Sequence, residues 1–330
     1  MDDFAELRAA GLQRPLMDEI GGAFSKTLAR YEDAVNSFRE ADEKYFAHDY
    51  VTALPMYELA LTALEKRSGD LSNQDKYAQL KFMIIMAMGE CAKKKKDMSM
   101  AVKYYELASY LIESKVKESK NDEIWQYDLI AAQFFLSTVV ADSSAPLLRA
   151  ETAVKNLVYH TEGSVVDLTQ YYPKILAALD KLVTDRARSF YDKRQYIDAL
   201  EIFKEDVGRA RFAAQYGFIG KHNLSSVLNL EAWYAIFARD FELTRSDSER
   251  AIALVETDEQ RFGPMTNRAH ALMLLDRITE ARDAYMAGRG LTSSEKETWE
   301  HAILSDFVKF RAAGISHPLM GEIEKAFKKR

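Results

Sequence analysis

Apolar and polar residues almost never alternate with a period of two along this chain, whereas apolar positions at i, i+3, i+4 and i+7 run through most of it. That is the period of helices with one buried stripe. A longer regularity is laid over it. Ala41 is followed twelve residues on by Ala53, then by Tyr57 and Ala60; Gly89 is followed by Ala101, Tyr105 and Ala108. Ala187 leads to Ala199, Phe203 and Asp206; Ala232 to Thr244, Ser248 and Ala251; Ala269 to Ala281, Tyr285 and Gly288. A polar turn stands after the first member each time: AHDY, KKKKD, DKRQY, ARDF and LLDR. Small residues let two antiparallel helices approach closely, and the aromatic one turn later fills the space beside them. The spacing predicts five helical hairpins over Phe38–Gly288.

Successive first members are separated by 48, 98, 45 and 37 residues. The gap of 98 has room for one more pair, predicted at Glu123–His160, where two apolar-periodic stretches flank ADSSAP. The ends carry a different repeat. Asp3–Phe24 returns as Asp306–Phe327, displaced by 303 positions with 13 of 22 residues identical. In the second copy a helix through Ala313 is expected to stop at Gly314, the residue that most readily turns left-handed after a helix, and Pro318 suits the first turn of the next helix. The first copy repeats this with Gly11 and Pro15.

The hairpin spacing resembles the tetratricopeptide repeat. It departs from it by lacking the usual first-helix tryptophan at most copies and the proline that ends a unit. Asn267–Phe327 further resembles the end of a bacterial tandem-array unit of that family, sometimes joined to caspase-like or serine protease domains. The resemblance implies an all-α, right-handed superhelical solenoid of antiparallel helix pairs. The expected divisions are 1–24 for the first duplicated passage, 25–120 for hairpins, 121–170 for the degenerate pair, 171–290 for further hairpins and 291–330 for capping helices. Each apolar end of such a stack needs a cover. The C-terminal copy is expected to cap its own repeats, and the N-terminal copy to fold over near Ser25 in a monomer, with end-to-end association as the alternative.

Composition narrows the function. With 48% hydrophobic residues, six prolines and 14 glycines, the chain has ample core and few turn residues. A formal charge of −6 gives no broad positive field for nucleic acid. No run of about 18 uncharged apolar residues suggests a membrane span. The acidic start lacks a secretory pattern, and the single Cys91 cannot make an internal disulfide, so a reducing cytoplasm is expected. Six scattered histidines have no metal spacing, and no glycine-rich phosphate loop occurs. No cofactor is expected. Cys91 reads as a packed residue, and the run Lys93–Lys96 as a solvated turn.

First helices of a curved stack line its inner face. By register, the inner-facing candidates are Tyr45 with Asp42 and Phe46, Lys93 and Lys94 with Glu90, Arg188 and Tyr191 with Asp192, then Asn229, Trp233 and Phe237, and lastly His270. Rings, amides and charges suit an extended peptide. Trp233 and Phe237 read equally well as core, and His270 as a packed histidine. The clamp by which some family members hold a chaperone C-terminus needs lysine and asparagine where this chain has Phe38 and Asp42, so it is not expected. The chain therefore reads as a non-catalytic scaffold or adaptor for a protein or peptide; the alternative is a regulatory array acting with a protease.

Overall fold

The computed structural model describes residues 28–65, 74–120, 122–160, 168–293 and 295–328. Among them the chain is α-helical, apart from a 3-10 turn at Leu168–Gln170 and one isolated bridge between Thr292 and Thr298. It divides into two compact units between Ile175 and Leu176. In the first, α1 (Leu28–Phe46) pairs with α2 (Tyr50–Glu65), α3 (Gln74–Lys94) with α4 (Met98–Glu118), and α5 (Glu123–Ser137) with α6 (Ser144–His160). α7 (Tyr172–Asp192) begins just before the division. The second unit continues with α8 (Tyr196–Gln215), α9 (Lys221–Phe237), α10 (Phe241–Ala253), α11 (Asp258–Leu274), α12 (Ile278–Ala287), α13 (Trp299–Ala312) and α14 (Pro318–Lys328). Within each unit most helices pack on their neighbours in sequence, while α13 and α14 also pack on α11 and α12, so the core is a row of helix contacts rather than one central mass.

The residues of the repeating pattern sit where two helices meet. Ala41, Ala53, Tyr57, Ala60, Ala101, Tyr105, Ala108, Ala187, Ala199, Phe203, Ala232, Thr244, Ser248, Ala251, Ala269, Ala281 and Tyr285 all have zero exposure. A side chain at Gly89 would overlap the Tyr105 ring, and one at Gly288 the Trp299 indole, so these two helix contacts require glycine. The pair expected at Glu123–His160 is present as α5 and α6.

Every hairpin turn of the pattern closes in the same way. His48, Lys96, Arg194, Arg239 and Asp276, each seven residues beyond its small residue, have φ between 58° and 63°. The next residue's N–H then reaches back five residues, as Asp49 does to Lys44 O and Asp97 to Ala92 O, which satisfies carbonyls left over at the helix end. Asp49, Asp97 and Asp240 accept from the backbone N–H groups of Thr52, Met100 and Leu243, starting the second helix.

At the C-terminal end, Gly314 has φ 72° and Pro318 opens α14. Phe307, Phe310, Ile315, Leu319, Met320, Ile323 and Phe327 are buried in one cluster with residues of α11 and α12. The guanidinium of Arg239 donates to Gly314 O at 3.1 Å, tying this turn to the one between α9 and α10. The first copy, Asp3–Phe24, and the expectations about its packing lie outside the described residues.

Candidate partner-binding site

Three first helices of the second unit, α9, α11 and α13, present one face to a pocket of about 440 Å³. α9 contributes Asn229, Leu230 and Trp233; α11 contributes Glu259, Phe262, Gly263, Thr266 and Asn267; α13 contributes Ala302, Asp306 and Lys309. Ser293, Glu295 and Glu297, from the segment between α12 and α13, complete the rim. On its floor Asn267 Nδ2 donates to the Asn229 backbone carbonyl at 3.0 Å and to Asn229 Oδ1 at 2.9 Å. Asn267 is 3% exposed, yet its Oδ1 has no hydrogen-bond partner among the described residues, and neither has Asn229 Nδ2. A Cβ on Gly263 would stand 2.8 Å from that nitrogen, so the glycine leaves room for the amide.

The pocket's inner wall is electrostatically tied to the core. Lys309 Nζ lies 5.1 Å from the Trp233 ring centre and donates to Asp306 Oδ1 at 2.9 Å. The other carboxylate oxygen is 3.3 Å from His270 Nε2, and His270 Nδ1 is 2.9 Å from the Tyr285 hydroxyl. Burial pushes the Asp306 carboxyl up, but the hydrogen bonds and charges of His270 and Lys309 outweigh it and hold the group below its ordinary value. Asp306 therefore stays ionised.

The His270–Tyr285 contact has counterparts. Tyr57 donates to Asp42 at 2.5 Å, and Tyr105 donates to Glu90, each across fifteen residues. At these three hairpins the residue after the small one thus faces the second-helix aromatic, and the turn geometry is shared by all five hairpins of the pattern. These all-α hairpins keep the spacing that resembles the tetratricopeptide repeat. No protein-family model matches the sequence, and neither does any curated protein. Among solved structures, the yeast Sti1 TPR2AB domain in complex with pHSP90 is 12% identical with a TM-score of 0.31, over 90% of this chain and 99% of that one. A Podosopora anserina putative kinesin light chain with nearly identical TPR-like repeats gives 12% and 0.33, over 78% and 93%. NprR in complex with its cognate peptide NprX gives 12% and 0.32, over 99% and 84%. Scores this low carry no argument.

The structure separates the nine residues expected to face a groove. Asn229 and Trp233 line the pocket, and Tyr191 is half-buried on α7, ring to ring with Tyr196, Tyr234 and Phe237. Arg188 and Lys94 are exposed. Lys93 is turned toward the protein, 3.6 Å from Glu90 and 5.8 Å from the centre of the Phe135 ring. Tyr45 and His270, at 0% exposure, and Phe237, at 3%, are core residues, which corrects the groove role expected for them. Tyr45 packs edge-on to Phe46 and Tyr50, and Phe237 sits among Tyr191, Tyr196, Trp233 and Phe310. Their places in the repeat register turn toward a neighbouring helix instead of the open face.

Asn267, Asp306 and Lys309 were not among the expected residues. The signal for Asn267 was present, two residues before Ala269 on a first helix. Reading 291–330 as capping helices leaves out the contribution of α13 to the same face as α9 and α11. Elsewhere, Cys91 has no exposure, and burial, with Glu90 beside it, pushes its thiol up to about 12, so no reactive thiolate forms there. No group of three potential metal ligands occurs among the described residues, and none of their helices is long and apolar enough to cross a membrane.

Proposed function

We propose that the chain is a non-catalytic scaffold that holds a peptide or protein segment against α9, α11 and α13. The observation that carries this reading is the Asn229–Asn267 pair. It sets one donor, Asn229 Nδ2, and one acceptor, Asn267 Oδ1, without partners among the described residues, in a pocket beside the Trp233 ring. An extended backbone offers the matching carbonyl and N–H, and a half-buried tryptophan supplies contact area at low entropic cost.

The test is selection of binders from a random peptide library with the full chain, followed by affinity measurement on Asn229→Ala and Asn267→Ala. Either change is expected to weaken binding about tenfold or more, the cost of losing one or two well-placed hydrogen bonds. Circular dichroism should show helix content unchanged. Undiminished binding by both folded variants would remove the pocket from the reading.

A further inference from the structure

The geometry points to a basic side chain, an arginine or lysine of the bound segment, as the group this pocket selects. This rests on the peptide-binding reading above and adds the chemistry of its specificity.

Four carboxylates line the pocket, Glu259, Glu295, Glu297 and Asp306, against one cation, Lys309. Asp306 is spent on Lys309 and His270, and Glu297 Oε1 is 2.9 Å from His301 Nδ1. Glu259 and Glu295 are exposed at the rim and have no ion pair among the described residues. Two unneutralised carboxylates at a concave opening focus a negative potential there, which repels an acidic segment and draws in a cation. An acidic rim alone would be a solvated edge. Here it surrounds Asn267 Oδ1, an acceptor on a residue only 3% exposed, with no donor reaching it among the described residues. A guanidinium or ammonium is donor-only and can bond this oxygen and the rim carboxylates together, whereas a carboxylate side chain can bond neither. The chain's own Lys309 shows the preference already, its ammonium set between the Trp233 ring and Asp306 on the same wall.

The experiment uses three blocked pentapeptides identical except at the centre, which carries arginine, its neutral isostere citrulline, or glutamate. Each is titrated into the isotopically labelled full chain while the Trp233 indole and Asn267 amide resonances are followed, assigned through Trp233→Phe and Asn267→Asp. The arginine peptide is expected to bind about tenfold more tightly than the citrulline peptide, the equivalent of one charge-assisted contact. That margin should shrink as salt is raised, and Glu259→Gln with Glu295→Gln should reduce it to about twofold or less. Both glutamates are exposed, so the double variant keeps its fold. Equal binding of all three peptides at these resonances would overturn the basic preference and leave the peptide-binding reading standing. If none of the three moves either resonance at millimolar concentration, both readings fall.

Discussion

The hydroxyl of Tyr285 lies 2.9 Å from Nδ1 of His270, fifteen residues earlier, and Tyr57 spans the same interval to Asp42. Two helices of one hairpin are thereby joined through a polar contact between fully buried side chains. Tyr285→Phe removes one partner and leaves a fully buried imidazole nitrogen bare, which should cost about 1–3 kcal/mol in urea unfolding. The hairpin α7–α8 gives the converse case. Its aromatic, Phe203, has no hydroxyl, and Arg188 in the acceptor's place is exposed. Phe203→Tyr alone should therefore destabilise, and adding Arg188→Asp should recover part of the loss.

Stability should fall as pH rises. Burial, then the neighbouring Asp180, pushes Asp206 up to about 7; burial, then Asp247, pushes Glu231 up to about 8. Both folded values lie above the unfolded ones, so each contribution is full below about pH 4 and is lost as pH rises through 7 and 8 respectively. Thermal melts between pH 5 and 8.5 should show the midpoint dropping by several degrees. Asp206→Asn with Glu231→Gln should flatten that slope.

In the first unit Asp128 has no exposure and neither of its carboxylate oxygens is hydrogen-bonded among the described residues. Burial, with Asp122 adding to it, holds this group well above its ordinary value. The substitution Asp128→Asn removes the cost of keeping it protonated and should leave the melting temperature at pH 8 equal or higher; a fall of more than a few degrees would show that the carboxyl has a stabilising role.

Lys96 is exposed with φ 63° at the turn between α3 and α4, a conformation that costs a side-chain-bearing residue about 1 kcal/mol. Lys96→Gly should raise stability by about 0.5–1 kcal/mol after allowing for the added freedom of the unfolded glycine. Lys95→Gly, one residue earlier at a position without positive φ, should lower it.

Two glycines should respond in opposite ways. Gly288→Ala drives a methyl into the buried Trp299 indole, and a loss of about 2 kcal/mol or more is expected in denaturant unfolding. Gly263→Ala meets only the end of the Asn229 side chain, which can swing aside. Helix propensity then favours alanine by up to about 1 kcal/mol. Its stability should hold or rise while peptide affinity drops, because the Asn229–Asn267 geometry is disturbed.

The hairpins were legible because their signal is local: small, small, aromatic and small residues at fixed intervals set both pairing and burial. Ile315, Leu319 and Ile323 were likewise readable as one apolar face from the duplicated passage. Side-chain direction was less accessible. Tyr45, Phe237 and His270 lie on first helices, as expected, but a helix presents several faces and the open one is narrow, so helix membership did not settle exposure. The carboxyl pairs Asp180–Asp206 and Glu231–Asp247 were unreadable, since each joins two helices and no period connects their positions. The pocket was half visible: Asn229 and Trp233 follow from the register, while Lys309 and Glu259 belong to it only because α11 and α13 lie side by side.

α13 has two duties. Phe307 and Phe310 are buried in the cluster shared with α11 and α12, while Asp306 and Lys309 form a wall of the pocket. Ligand occupancy and fraying of the C-terminus are therefore thermodynamically linked: whatever binds Asp306 or Lys309 must also oppose the undocking of α13 and α14. Amide exchange in those two helices should slow on binding, and a destabilised C-terminus should lower affinity from a distance.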